Sequence, residues 1–288
     1  MPASSRRWSL PRGTRAPLAT LALLGAAALL VPAAATSDPL AIGDVLATRL
    51  LPPLATDAEG HFHLFGTDRF GRDLLVRMML AGRLSLLVGV VGSVLAGAVG
   101  TVAGAWAGWR GGVADGAVMA LADAMLAVPR LVLLLVVAAL WGPGTWTTVA
   151  VLVVTGWMGV ARLVRAEVLG VRARGYVDAA RALGATPGRL LWRHTLPNAL
   201  GPAIVATTLG VGNAILLESG LSFLGLGIQP PAPSWGNMIA GGRDLVVVAP
   251  WVAIAPGIAL VVTVLATTVL GDAWRDRLAG ERGPAMRP

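Results

Sequence analysis

The chain has 288 residues and a net charge of +8, and 56% of its residues are hydrophobic but only 13% are charged. A soluble domain carries about 25% charged residues, so this composition excludes an ordinary water-soluble globular fold. All 23 basic residues are arginine and cysteine is absent, which excludes disulfides and cysteine-based metal sites.

The first apolar stretch, residues 17–36, follows a basic tail at residues 1–16. It has the length of about 20 residues that a helix needs to cross a hydrocarbon core. Its end at Ala33–Ala35 also resembles a signal-peptide cleavage site, and residues 5–8 resemble a twin-arginine signal. We interpret the stretch as an uncleaved first transmembrane helix, because further spans follow it.

The rest of the chain divides into a mixed segment and five more apolar stretches. Residues 37–83 combine both charges with Pro and Gly, which predicts an external segment ending in a short helix. A core at residues 84–274 and a tail at 275–288 follow. Helices satisfy their backbone hydrogen bonds internally in lipid, so we predict an all-α polytopic membrane protein of about six transmembrane helices. The five later spans are predicted at 84–108, 117–141, 146–166, 199–225 and 249–271.

The arginines predict the orientation in the membrane. The stretch 162–193 holds seven arginines against Glu167 and Asp178, and basic loops stay on the cytoplasmic side. Both basic termini then lie in the cytoplasm, and the loops 142–146 and 226–248 lie outside. Because the arginines flank apolar spans, we do not read the positive charge as a nucleic-acid-binding surface.

Glycines in the second span recur every four residues, at Gly100, Gly104 and Gly108. Small residues at this spacing form a flat helix face that allows another helix to approach closely. We predict a helix-packing seam there.

Several kinds of catalytic site have no counterpart in the sequence. A Walker A loop needs a lysine, and the chain has none. Its three histidines, His61, His63 and His194, are too few and too scattered for a standard zinc enzyme site. We predict no catalysis, no bound metal and no cofactor held by this chain.

The large cytoplasmic loop, predicted at about residues 167–198, contains a candidate docking element. Residues 176–183 favour a short helix that Gly184 and Pro187 would end. Ala179 and Ala180 give this helix a shallow face that fits a groove in another protein. The alternative is an interfacial helix lying on anionic lipid.

Three blocks of sequence resemble one family of transport proteins. Asp178-Ala179-Ala180, Gly184 and Leu196-Pro197 resemble the EAA loop of ABC importer permeases. Residues 66–89 and 218–243 resemble blocks of the dipeptide/oligopeptide/nickel permease family, in its C-type subunit. The resemblance covers about residues 60–278. One departure is Asp178, which stands where Glu is usual.

The resemblance implies a role and a set of partners. It implies a bacterial inner-membrane subunit that forms half of a solute pathway. Its partners would be a homologous second permease, an external solute-binding protein and two cytoplasmic ATPases that hold ATP and Mg²⁺. The implied docking residues are Asp178, Ala179, Ala180, Gly184, Leu196 and Pro197.

The cargo has more than one candidate. Peptides are the cargo that the resemblance implies, and nickel, a metal chelate or another small solute is the alternative. Other classes are a stand-alone secondary transporter and a membrane-embedded enzyme. We see neither inverted repeats nor unwound spans of the kind that mark many secondary transporters.

A second candidate site lies just before the second span. Asp68 and Asp73 are placed to pair with Arg72, Arg77 or Arg83 and to brace the outer mouth. Contact with substrate or binding protein is the alternative. The full set of residues is Gly66, Thr67, Asp68, Gly71, Arg72, Asp73 and Arg83.

The remaining candidates are a carboxylate in the fifth span and two histidines. An intramembrane carboxylate is costly unless it is paired or wetted, so Glu218 is predicted to face the bundle interior or the pathway, together with Ser219 and Ser222. His61 and His63 are interpreted as solvated loop residues rather than metal ligands.

Overall fold

The computed structural model describes residues 13–35 and 45–281, with no side-chain description after 278. The twin-arginine-like residues and the last arginines of the C-terminal tail lie outside the described residues. The helices are α1 (Arg15–Ala34), α2 (Val45–Thr48), α3 (Leu74–Arg110), α4 (Gly112–Ala127), α5 (Arg130–Trp141), α6 (Thr145–Arg172), α7 (Gly175–Ala182), α8 (Pro187–Arg189), α9 (Leu196–Phe223), α10 (Trp235–Gly242) and α11 (Trp251–Glu281). A π-helical turn at Leu190–Thr195 joins α8 to α9, and a 3₁₀ turn at Arg243–Leu245 follows α10.

The predicted all-α membrane fold is confirmed. Within the described residues, five apolar helices are long enough to cross a bilayer, namely α1, α3, α6, Pro187–Phe223 and Trp251–Leu278, and the bent pair α4–α5 makes six if it is counted as one span. The described strands are β1 (Ala55–Thr56) and β2 (Phe62–His63), which pair antiparallel in the segment before α3.

The third predicted span, residues 117–141, is wrong as a single helix. The axes of α4 and α5 are bent by 93° at a break over Val128 and Pro129. Proline disfavours the helical conformation in the residue before it, and Val128 is extended at φ −87° and ψ 131°. An apolar run of adequate length therefore folds as two helices.

Helix α3 begins ten residues before the predicted start of the second span at 84. The Asp73 side chain accepts a hydrogen bond of 2.9 Å from the Val76 N–H and so caps the helix at residue 74. The short helix expected before the span is therefore the first part of α3 itself.

The predicted glycine seam packs α3 directly against α6. A methyl group added at Gly100 would lie 2.5 Å from the Trp157 carbonyl oxygen, and one at Gly104 would collide with the backbone of Ala161. One at Gly108 would lie 2.9 Å from the Arg165 carbonyl oxygen. The two backbones touch at three points over about two helical turns, which only residues without a side chain permit.

Apolar side chains fill the spaces between α3, α6, α9 and α11. One core cluster gathers around Val88, Leu152 and Leu221, and a second gathers around Leu74, Ile215 and Trp235. The indole Nε1 of Trp235 donates a hydrogen bond of 3.1 Å to the Met78 carbonyl oxygen. This contact fixes α10 and the loop before it against the first part of α3.

Candidate functional site

The predicted short helix of the large loop is present as α7. It begins after Arg174, in the extended conformation, and ends before Gly184. Gly184 has φ +86°, in the region that glycine adopts without steric cost. Its N–H donates 3.0 Å to the Arg181 carbonyl oxygen, and the Ala185 N–H donates 3.1 Å to that of Ala180. This turn reverses the chain after α7, as the sequence predicted.

One buried side chain anchors α7 to the transmembrane helices. Val177 is fully buried in a small apolar cluster with Val171 of α6 and Leu190 of the π-helical turn. Ala180 and Trp109, near the end of α3, pack against that cluster. Val177 is the one fully buried side chain of α7, so this helix packs against the transmembrane helices through one face.

Polar contacts tie the same region to α3 and α9. The Arg172 guanidinium donates 2.9 Å to the Trp109 carbonyl oxygen and lies 5.6 Å from the centre of its ring. The hydroxyl of Tyr176 donates 3.3 Å to the His194 carbonyl oxygen, which also accepts 2.7 Å from the Asn198 amide. The loop thus contacts the neighbouring ends of three long helices, α3, α6 and α9.

The face of α7 that points away from the transmembrane helices is exposed and carries a charged pair. Asp178 lies 2.7 Å from Arg181, and their side chains are 61% and 50% exposed. Ala179 is also exposed, whereas Ala180 faces the apolar cluster. Beside α7 is a cleft of about 690 Å³. Its walls include Trp109, Arg172 and Pro187.

Leu196 and Pro197 lie in the first turn of α9, past the π-helical turn. Leu196 is buried among Val168, Ala199 and Ala203, while Pro197 is exposed. The structure therefore divides the six predicted docking residues. Asp178, Ala179, Gly184 and Pro197 are accessible, and Leu196 and, in part, Ala180 are packing residues.

The predicted bracing pair before α3 is present. Asp68 Oδ2 lies 2.7 Å from Arg72 Nη2 and 3.7 Å from Arg77 Nε. Its Oδ1 accepts hydrogen bonds from the N–H groups of Phe70 (2.8 Å) and Arg72 (3.1 Å). Because Asp68 and Arg77 are buried, this pair is more than a solvent-screened surface contact.

Gly66, Thr67 and Gly71 shape the turn that carries Asp68. Both glycines have φ +75°, and a side chain at either would collide, with Leu51 at Gly66 and with Thr48 at Gly71. Thr67 is fully buried, and its hydroxyl donates 2.5 Å to the Thr48 carbonyl oxygen and accepts 2.8 Å from the Leu51 N–H. These contacts give all three residues a structural explanation.

Three expectations for this segment are wrong. Arg83 does not pair with an acid, but donates to the carbonyl oxygens of Ala28 and Leu29 in α1, at 2.6 and 2.7 Å. Asp73 pairs with His63 Nδ1 at 2.8 Å rather than with an arginine. His63 is therefore 7% exposed rather than solvated. All three outcomes result from packing between separate segments of the fold, and the spacing of these residues in the sequence does not reveal that packing.

The turn between β1 and β2 gathers acidic and histidine side chains. Ligand atoms of Asp57, Glu59 and His61 all lie within 4.8 Å of one another. Burial raises the pKa of Asp57, but hydrogen bonds from His61 and from the Glu59 backbone lower it more, to about 2. These hydrogen bonds close the hairpin turn on the Asp57 carboxylate. The His61 side chain is exposed, as predicted.

Glu218 is fully buried, which confirms that it faces the bundle interior. Its Oε1 accepts 2.7 Å from the Ser222 hydroxyl, and its Oε2 accepts 3.0 Å from Ser85 and 3.3 Å from Ser219. Ser85 in turn accepts 3.2 Å from the Trp235 N–H. The network links α3, α9 and α10, and the neighbouring Ser219 and Ser222 are buried with it.

Two residues that sequence reasoning did not single out stand out in the structure. Leu183, next to Gly184, is 89% exposed, and its signal is a large apolar side chain in a turn of small residues. Arg130 is the first residue of α5, at the break in the third apolar run. The sequence feature that could have identified Arg130 is a charged residue in the middle of that apolar run.

Comparison with known proteins places these features in a family. The model of the binding-protein-dependent transport system inner membrane component family matches residues 100–280. A Brucella suis protein named as a peptide permease is 47% identical over 216 residues, covering 74% of this chain and 72% of the relative.

Two further relatives have similar descriptions. A second Brucella suis protein, named as a peptide transport system permease, is 38% identical over 275 residues, covering 96% of this chain and 90% of that protein. The oligopeptide transport system permease protein OppC of Bacillus subtilis is 39% identical over 216 residues, covering 75% of this chain and 71% of that protein.

A solved structure shares the fold. It is an inward-facing form of the MetNI methionine ABC transporter, with a TM-score of 0.53, covering 73% of this chain and 97% of the matched chain. At 22% sequence identity, this likeness concerns the fold alone.

Proposed function

This chain belongs to the family of binding-protein-dependent transport system inner membrane components, and we propose that it forms half of the membrane pathway of an ATP-driven peptide importer. It is a multi-pass inner-membrane permease subunit and not an enzyme, since ATP hydrolysis in this family belongs to separate subunits.

The observation that carries the docking proposal is the geometry of α7. The helix is anchored on one side, by buried Val177 and the Tyr176 hydroxyl, and the chain presents Asp178, Ala179 and Gly184 outward beside a cleft. We propose that an ATPase subunit binds this face. Because the same loop contacts the ends of α3 and α9, a displacement of α7 would be passed directly to the transmembrane helices.

The proposed assembly has two permeases, two cytoplasmic ATPases with ATP and Mg²⁺, and one external solute-binding protein. Closure of the ATPases would switch the permeases between inward-open and outward-open states. The arginine distribution supports an orientation with both termini and α7 in the cytoplasm. The segment before α3 then faces the external binding protein.

The names of the relatives support peptides as the cargo. The test is uptake of labelled dipeptides and longer peptides by cells that express the complete transporter, with unlabelled peptides, nickel and nickel chelates as competitors. Competition by peptides supports the proposal. Competition by nickel or a chelate alone would keep the permease assignment and remove the peptide cargo.

The docking role is tested at Gly184 with two substitutions of different backbone preference. Valine is strongly disfavoured at φ +86°, whereas asparagine tolerates this region. We expect Gly184→Val to abolish peptide-dependent ATP hydrolysis and Gly184→Asn to keep most of it. Gly188→Val, in the same loop but without a positive φ, is the matched control. Equal activity of the two Gly184 variants would refute the docking turn.

A further inference from the structure

Arg130 lies near the middle of the apolar lengths of α3 and α6, which line the cleft that holds its side chain. One of its guanidinium nitrogens lies against Gly156, 3.3 Å from where a Cβ atom would be. Gly156 comes eleven residues after the start of α6, about 16 Å along its axis. Arg130 itself lies eleven residues before the end of α5. Ala96, which also faces Gly156, lies near the middle of the apolar part of α3.

Among residues 13–35 and 45–278, whose side chains the structure describes, no acidic group pairs with Arg130. Two other arginines close to the same helices are paired, Arg162 with Asp123 at 2.5 Å and Arg165 with Asp115 at 2.5 Å. No ion pair or hydrogen bond within the described part of the chain involves Arg130. A charged side chain at this depth is costly in contact with lipid, so it faces water or another charged group.

The space around the guanidinium is narrow and lined by small residues. A cleft of about 50 Å³ between α3, α6 and α9 is lined by Arg130 together with Gly92, Ser93, Gly97, Gly156 and Thr207. A water molecule needs at least about 10–15 Å³ of such space. The cleft therefore admits a few waters or one small polar group, while the rest of a larger solute would remain outside it.

From these observations we infer that Arg130 is a binding subsite for the terminal carboxylate of the transported peptide. A guanidinium presents parallel N–H donors that match the two oxygens of a carboxylate. Every peptide with a free C-terminus carries that group, whatever its side chains. The subsite would thus hold peptides of varied sequence in one register at the middle of the pathway. The inference rests on the proposed peptide cargo.

The absence of cysteine in the chain makes a direct test of this site practicable. Arg130→Cys introduces a single thiol, so labelling of this chain reports on position 130 alone. The complete transporter, with its partner subunits, is reconstituted in proteoliposomes and treated with cationic or anionic water-soluble methanethiosulfonate reagents. Ala138→Cys, which replaces a buried residue of the same helix, is the control that should resist labelling.

We expect Arg130→Cys to label, peptide to slow the labelling, and uptake to fall at least about tenfold, as for loss of a charge-assisted hydrogen bond. The cationic adduct should restore uptake and the anionic adduct should not. Arg130→Gln should reproduce the loss, whereas Arg110→Gln, an exposed arginine at the end of α3, should transport normally.

Three results would overturn the subsite. One is failure of the Arg130→Cys variant to label, which would place the arginine against lipid or an acidic group of the second permease. Another is equal uptake with the two adducts, and a third is normal uptake by Arg130→Gln. If the wild-type transporter takes up no peptide at all, the proposed cargo fails first, so the two failures are distinguishable.

Discussion

The Nε atom of Arg83 donates a hydrogen bond of 2.6 Å to the Ala28 carbonyl oxygen. In an uninterrupted helix this oxygen would accept from the N–H group four residues later. That residue is Pro32, which lies inside α1 and has no N–H group. The arginine of α3 therefore replaces the missing helical donor and holds α1 against the bundle.

This relationship predicts a measurable coupling between positions 83 and 32. Arg83→Met should destabilise the protein by about 1–3 kcal/mol, because it leaves a buried carbonyl without a donor. Pro32→Ala restores the helical N–H, so the double variant should lose less stability than the sum of the single variants. Thermal unfolding in detergent measures the four proteins of this cycle. Simple additivity would show that the two residues act independently.

The contact between α3 and α6 predicts intolerance of one methyl group. Gly104→Ala should cost about 1–3 kcal/mol, because the added Cβ meets the backbone of Ala161, which cannot move aside alone. Gly159→Ala, in α6, meets nothing within 4 Å and should be neutral or slightly stabilising. Unfolding of both variants tests the seam. Equal stability would mean that the helices can separate freely.

The serine network predicts that Glu218 is needed as an acceptor rather than as a charge. Glu218→Gln keeps one oxygen for the surrounding hydroxyls and should fold and transport. Glu218→Leu leaves the Ser85, Ser219 and Ser222 hydroxyls without their acceptor and should lose about 1–3 kcal/mol for each buried group. Stability and uptake are measured together. A Gln variant that is stable but transports nothing would instead indicate solute contact.

Leu183 predicts an apolar contribution to ATPase binding. Exposed apolar side chains beside a docking surface are frequent binding determinants, and Leu183 is 89% exposed. Leu183→Gln should reduce the amount of ATPase subunit that copurifies with the permease, without changing its unfolding temperature. Val247→Gln replaces a residue that is 95% exposed in the segment before α11 and serves as the control. Undiminished copurification would remove Leu183 from the interface.

The hairpin turn at Asp57 predicts a defined response to acid. The pKa of this carboxyl is lowered from 3.8 to about 2. Its contribution to stability is therefore complete above about pH 4 and is lost as the pH falls through about 2. Hydrogen exchange at the Glu59 and His61 amides, which donate to Asp57, should accelerate relative to the rest of the protein only in that window. Asp57→Asn should abolish the pH dependence.

The features that sequence revealed are those set by local spacing. The helix at residues 176–183, the turn at Gly184, the i, i+4 pair of Asp68 and Arg72, and the glycines of α3 all depend on residues close in the chain. Hydropathy located most ends of the spans to within a few residues, but α6 continues six residues and α11 ten residues past the predicted ends. Hydropathy also did not locate the start of α3, because that helix begins where the Asp73 side chain caps it.

The features that sequence missed depend on the fold. The break at Pro129 was hidden because proline is also tolerated within continuous transmembrane helices. Arg83 was expected to meet a carboxylate, but α1, more than fifty residues earlier, supplies carbonyl acceptors. His63 is buried by its contact with Asp73. No periodicity in the sequence shows these contacts.

The glycine seam has a mechanical consequence. Helices that meet backbone to backbone leave no side chains between them to compress or rotate, so α3 and α6 should behave as one stiff rod. That rod carries α7 beyond the end of α6, and the turn around Asp68 lies just before the start of α3. A displacement of α7 on one side of the membrane would therefore be transmitted to the segment before α3 on the other side.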